Sequence, residues 1–177
     1  MDKKVLYIIF IMFFVLQSES FFANADTYNP SPAELLRNNV KILYVPSGVK
    51  TDVILSQKIN SNSAIIGQTV NAILIQDFKY QNTVIAPCGS IFEGSVVYNK
   101  KANLMNKQAL MQIRFTKIRT PYNNIVPINA VVETTDSNGI IKGTEPNFKN
   151  PKNKDVDLSP NTKLTLVFDQ PITVGAQ

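Results

Sequence analysis

The chain has 177 residues, 44% of them hydrophobic, with 18 Lys and Arg against 13 Asp and Glu, one cysteine, no histidine and a net charge of +5. The missing imidazole excludes histidine-based triads and mixed His/Cys zinc sites, and a single thiol excludes an internal disulfide, so no metal or cofactor is expected. The basic excess is modest and its lysines are scattered, so it forms no nucleic-acid stripe; it serves solubility first and favours anionic surfaces such as lipid headgroups or wall polymers.

Asp2, Lys3 and Lys4 precede an apolar run from Val5 to Leu16, and a short polar stretch then ends in Ala23-Asn24-Ala25. Spanning a bilayer takes roughly 20 residues, so the run is short for that purpose, and the small side chains suit a signal peptidase. The pattern predicts a Sec-type signal peptide over 1–25 and an extracytoplasmic protein, periplasmic or secreted, in the cell envelope. No integral membrane span is expected once that segment is cleaved. Phe21 and Phe22 keep an uncleaved anchor open as the alternative, although Gln17 to Ser20 interrupts the apolar run. No cysteine stands just past the run, which closes the lipoprotein route.

Residues 26–40 read as a linker with a short N-terminal helical turn at Pro32 to Arg37, capped by Ser31. From 41 to 177 a single all-β domain is predicted, because period-two alternation of β-branched and polar residues dominates. Val45-Pro46-Ser47-Gly48 is a sharp turn that leads into a strand over Val49 to Ile59. Gly67 precedes the strand Thr69 to Ile75, whose two faces, Val70, Ala72, Leu74 and Asn71, Ile73, Ile75, are both largely apolar, which predicts cover on two sides. Asp77 and Tyr80-Gln81-Asn82-Thr83 mark a hairpin.

Ala86-Pro87-Cys88-Gly89-Ser90 is a second Pro-containing turn, with Cys88 expected as a small, partly buried filler. In the following strand, Ile91 to Val97, the glycine at Gly94 predicts a bend or bulge at a barrel corner. Residues 99–109 form a long polar connection carrying Lys100 and Lys101. Leu110 to Ile118 then reads as a half-exposed strand, with Met111, Ile113 and Phe115 inward and Gln112, Arg114, Thr116 and Ile118 outward. Turns follow at Pro121 to Asn124 and Asp136 to Gly139.

A second long loop, 143–157, is poor in apolar residues, and Phe148, Lys149, Lys152 and Lys154, with Lys100 and Lys101, are the candidates for touching a partner. Leu158-Ser159-Pro160-Asn161 opens a last strand, Thr162 to Ile172, which aligns with Val49 to Ile59 as a weak internal repeat. The fold expected is a small mixed β-barrel or a sandwich-like barrel.

The run Ile59 to Ala72, then Asp77, Val84 to Gly94, Leu110 to Phe115 and Val126-Pro127-Ile128-Asn129-Ala130, resembles the C-terminal β-barrel of TrbI-like proteins of conjugation and type IV secretion machines. The resemblance spans residues 42 to 172 and rests on structural positions, among them the Pro-x-Gly-Ser turn at 87–90 and Gly94. It implies a β-barrel serving as a structural or docking module of an envelope complex. Its partners would be other envelope proteins, with self-association an option. No apolar insertion long enough for the family's helical pair stands between Val96 and Leu110 or after Ala130, so the pore-forming role is not implied.

Three functions compete on the residues themselves. A non-enzymatic module would bind proteins through sheet edges and long loops. A binder of wall glycans or a small ligand would stack it on Tyr80, Tyr98, Tyr122 and Phe148. A carboxylate enzyme would need Asp77 and Glu93 in one pocket.

Overall fold

The computed structural model describes residues 41–103, 108–143 and 154–176. The signal segment, the helical turn, Phe148, Lys149 and Lys152 lie outside the described residues. Among the described residues thirteen strands follow one another: β1 (Lys41–Val45), β2 (Lys50–Leu55), β3 (Ile59–Asn60), β4 (Thr69–Leu74), β5 (Phe78–Tyr80), β6 (Thr83–Ala86), β7 (Ile91–Lys100), β8 (Leu110–Arg119), β9 (Ile125–Val132), β10 (Ile140–Lys142), β11 (Asp157–Leu158), β12 (Lys163–Phe168) and β13 (Ile172–Ala176).

Six of them close on themselves in the order β8-β7-β4-β2-β12-β9, with β9 pairing back to β8 and β10 added beside β8. All strand pairings among the described residues are antiparallel, so the barrel is not mixed. Closure abolishes the edges of the barrel itself, and among the described residues edges remain on β10 and the small ribbons β1–β13, β3–β11 and β5–β6.

Alternation decides what fills the interior. Val53 and Leu55, Val70, Ala72 and Leu74, Phe92 and Val96, Met111, Ile113 and Phe115, Ala130, and Leu166 and Phe168 are all fully buried. Phe92 and Phe115 meet edge to face at 6.4 Å, and Phe78 stacks on Phe168 at 5.2 Å, so the β5–β6 hairpin is pinned to the barrel by an aromatic pair. At the opposite end Ile59, Ala64, Ala109 and Val156 join the same core. These inward side chains of the described residues pack together as one core inside the barrel.

The internal repeat becomes a reciprocal pairing. β2 and β12 share the burial pattern and pair with each other, Asp52 opposite Thr165 at the centre. Gly48 N–H donates to the Phe168 carbonyl (2.7 Å) while Asn161 N–H donates to the Leu55 carbonyl (2.8 Å). Leu55 N–H reaches the Thr162 carbonyl (2.9 Å), and Phe168 N–H reaches the Val49 carbonyl (3.0 Å). Gly48 (φ 85°) and Asn161 (φ 65°) both take the left-handed conformation that brings their N–H groups round, which explains Gly and Asn at these two points. Both repeat strands stop short of the predicted length, at Leu55 and Phe168, and the chain bends before β3 and β13.

Three further expectations need correction. Ile118 points inward and is fully buried, because Thr116 is an extra residue: Glu93 faces Lys117, Gly94 faces Phe115, and the alternation changes phase between them. Gly94 supplies the room on the other strand, since a Cβ there would lie 2.8 Å from the Phe115 Cα and against the Arg114 carbonyl. β4 is covered on its inner face only, and Ile73 and Ile75 are exposed, because nothing among the described residues packs over that outer face. Cys88 is exposed as well: its turn lifts it away from the core, with the thiol 3.7 Å from the Leu74 carbonyl.

Candidate functional site

The outer surface of the barrel is organised in rows set by strand register. Ile54 of β2 stands opposite Ile73 of β4, Ile73 opposite Ile91 of β7, Ile91 opposite Arg119 of β8, and Arg119 opposite Ile125 of β9. Directly paired residues hold their Cβ atoms about 5 Å apart, so Ile54, Ile73 and Ile91 form one aliphatic stripe. Ile73 and Ile91 are each more than a third exposed (37% and 36%). Sequence reasoning took Ile73 for a covered residue; alternation identifies which residues share a face and does not say whether anything packs on it.

Next to that stripe runs a charged row. The Glu93 carboxylate accepts from Lys117 Nζ (2.8 Å) and Arg119 Nε (2.7 Å), and these two cations, Lys117 first, hold it below its ordinary value. Arg119 also reaches Asn123 Oδ1 (3.2 Å). Across the barrel Asp52 is held down by Lys163 (2.8 Å) and then by the Thr165 hydroxyl (2.7 Å). Arg114 bridges Asp169 (2.6 Å) and Asn129, and Lys50 pairs with Glu133.

Asp77 lies elsewhere. It accepts from the Cys88 backbone N–H (2.9 Å), which lowers its pKa, and lines a shallow groove of about 270 Å³ with Lys50, Thr51, Asp52, Gln76, Phe78 and Lys79. Glu93 is not part of that groove, so the structure does not bring the two candidate carboxylates together. Both are held in the charged form, the opposite of what a general acid needs. The aromatic platform is dispersed too. Tyr80 packs on the core, whereas Tyr98 faces Gln112 near the start of β8 and Tyr122 follows its end, roughly 23 Å along the strand. Among the described residues no group of three or more acidic or thiol side chains could hold a metal ion, and no helix is long and apolar enough to cross a membrane.

The turn residues sit where the chain reverses. Gly67 (φ 87°) and Gly89 (φ 84°) take left-handed conformations, Pro87 precedes Cys88, and Pro46 and Pro160 stand just ahead of Gly48 and Asn161. Of the candidate contact residues, Lys100 and Lys101 are exposed at the end of β7 and Lys154 is half-buried beside them. The three share one end of the barrel: Lys100 stands opposite Leu110, and the neighbouring Ala109 N–H donates to the Lys154 carbonyl (2.8 Å). Asn99 and Lys100, expected in a loop, belong to β7.

One element escaped the sequence reading. The loop from Ser61 to Gln68, at the same end, presents Ile65 and Ile66 to solvent at 69% and 67% exposure. The available signal was an adjacent aliphatic pair before Gly67, outside any alternation.

No family model and no curated protein matches the sequence. Among solved structures the fold is similar to that of ComB10 of the Com type IV secretion system of Helicobacter pylori. The TM-score is 0.50 at 13% identity, covering 72% of this chain and 88% of that one. The likeness is one of fold.

Proposed function

We propose that this protein is a non-enzymatic, extracytoplasmic docking barrel that binds other envelope proteins within a secretion-type assembly. The observation that carries the reading is the aliphatic stripe Ile54, Ile73 and Ile91 on the outside of a barrel whose interior is already filled. A packed interior leaves recognition to the surface, and a row of solvent-facing isoleucines loses water most favourably against another protein. The fold neighbour comes from a type IV secretion system, which supports an envelope assembly as the setting. The apolar run from Val5 to Leu16 supports export.

The test is affinity purification from envelope fractions with the wild type and with Ile73→Thr/Ile91→Glu. Threonine keeps the strand preference and a glutamate at 91 stands opposite Arg119, so the double variant should keep its unfolding midpoint close to that of the wild type. A defined protein partner retained by the wild type and lost by the variant is the expected result. Identical partner profiles for two equally folded proteins would overturn the assignment to this face.

A further inference from the structure

The end of the barrel that carries Ile65 and Ile66 combines three features found together nowhere else among the described residues. The first is a rigid apolar tip. Ala64 is buried and its N–H donates to the Asn60 carbonyl (2.8 Å), while Gln68 closes the turn by donating to the Ile65 carbonyl (3.1 Å) and accepting from Ile65 N–H through Oε1 (3.3 Å). Gly67 N–H to Val96 (2.8 Å) and Val96 N–H to Gln68 (3.0 Å) fix the loop to β7, and Asn99 Nδ2 grips the Ser61 and Ala64 carbonyls (2.9 and 2.8 Å). A loop held at both ends cannot fold its two isoleucines away. Val97 and Tyr98, on the strand to which it is fixed, are exposed as well.

The second feature is unneutralised positive charge. Lys50, Lys58, Lys79, Lys117, Lys142 and Lys163 each lie within 4 Å of a carboxylate. Lys100, Lys101 and Lys154 have no ion pair among the described residues, and all three are at this end. Among the described residues the unpaired acid at this end is Asp155, which accepts from Asn62 Nδ2 (2.6 Å) and the Ser61 hydroxyl (3.4 Å) and keeps its charge; three lysines against this one carboxylate leave a positive excess. The third feature is shape. Two side chains on a tight convex turn offer far less than the roughly 800 Å² that each partner contributes to a stable protein interface. A fluid bilayer needs no matching surface: aliphatic groups enter the headgroup boundary while lysines stay among the phosphates.

We propose that this end is a contact site for an anionic lipid surface, with Ile65 and Ile66 as the tip and Lys100, Lys101 and Lys154 as its charged flank. The site lies apart from the Ile73–Ile91 stripe, so the two assignments can fail separately.

The protein has no tryptophan, so Ile66→Trp in the full chain gives a single indole that reports on the tip alone, even if the N-terminal apolar run tethers the chain to vesicles. With vesicles of mixed phosphatidylglycerol and phosphatidylcholine, the emission should shift to the blue and be quenched by brominated acyl chains. Pure phosphatidylcholine should give little change, and adding Lys100→Glu and Lys101→Glu should raise the lipid needed by about tenfold or more. If Ile66→Trp does not fold, Ile65→Trp makes the same reading. Unchanged emission with both vesicle types overturns the proposal, as does an equal response to both. A shift that depends on protein concentration without lipid overturns it in favour of a second copy of this chain.

Discussion

At position 93 a carboxylate on the outer face of β7 sits between two cations of β8, and the arrangement makes stability depend on pH in a definite direction. Lys117 and then Arg119 hold the Glu93 carboxyl below its ordinary value of 4.5. In the unfolded chain that value is restored, so at pH between the two the unfolded state binds more protons than the native state. The contribution of Glu93 is therefore complete above about 4.5 and is lost as pH falls through the depressed native value. Glu93→Gln removes the charge at all pH. At neutral pH, urea unfolding should show a loss of about 1 kcal/mol, the upper range for a half-exposed pair, and the wild-type advantage should vanish at low pH. A constant difference from neutral to strongly acidic pH would show that Glu93 acts through packing alone. The neighbouring Gly94 was legible in the sequence because glycine within a strand asks for a reason, here the Arg114 and Phe115 backbone. Cys88 was misjudged by the opposite logic: its small apolar side chain suggested burial, but the Pro-x-Gly turn decides where it points.

Among the elements, those with an unbroken phase were readable and those that change phase were not. The repeat of Val49 to Ile59 in Thr162 to Ile172 was visible because both copies alternate identically, and that equivalence lets β2 and β12 exchange matching hydrogen bonds. Thr116 left no trace, since threonine suits either face of a strand, so the inward turn of Ile118 had to come from tertiary pairing. The β3–β11 ribbon was likewise hidden, being two residues on each side and joined across a long sequence gap. Its anchor is Ser61, fully buried, whose N–H donates to the Val156 carbonyl (2.9 Å) and whose hydroxyl accepts from Val156 N–H (3.1 Å). Ser61→Ala leaves that amide buried without a partner, at a cost of about 1–3 kcal/mol. Hydrogen exchange should show the Val156 amide losing protection while β7 and β8 amides keep theirs. Equal loss in all three would mean that the ribbon is not a separable unit.

At the scale of the whole molecule, all-β character was plain from alternation, whereas closure was not, because a sandwich and a barrel present the same period-two pattern to a reader of one strand at a time. What distinguishes them is the return of β9 to β8, a pairing that no local signal encodes. Closure also fixes how the molecule should fail. Phe115 lies fully buried between β7 and β9, edge to face with Phe92, and every barrel strand leans on that shared interior. Phe115→Ala removes most of an aromatic side chain from a site whose walls are bonded in a ring and cannot collapse easily, so the loss should be about 3–5 kcal/mol. Because a closed ring has no edge strand to peel away first, protection should fall together in β2, β4, β7, β8, β9 and β12, in contrast to the local opening at Ser61→Ala. Exchange confined to β8 and β9 would instead describe two packed sheets that separate, and the barrel would have to be redrawn as a sandwich.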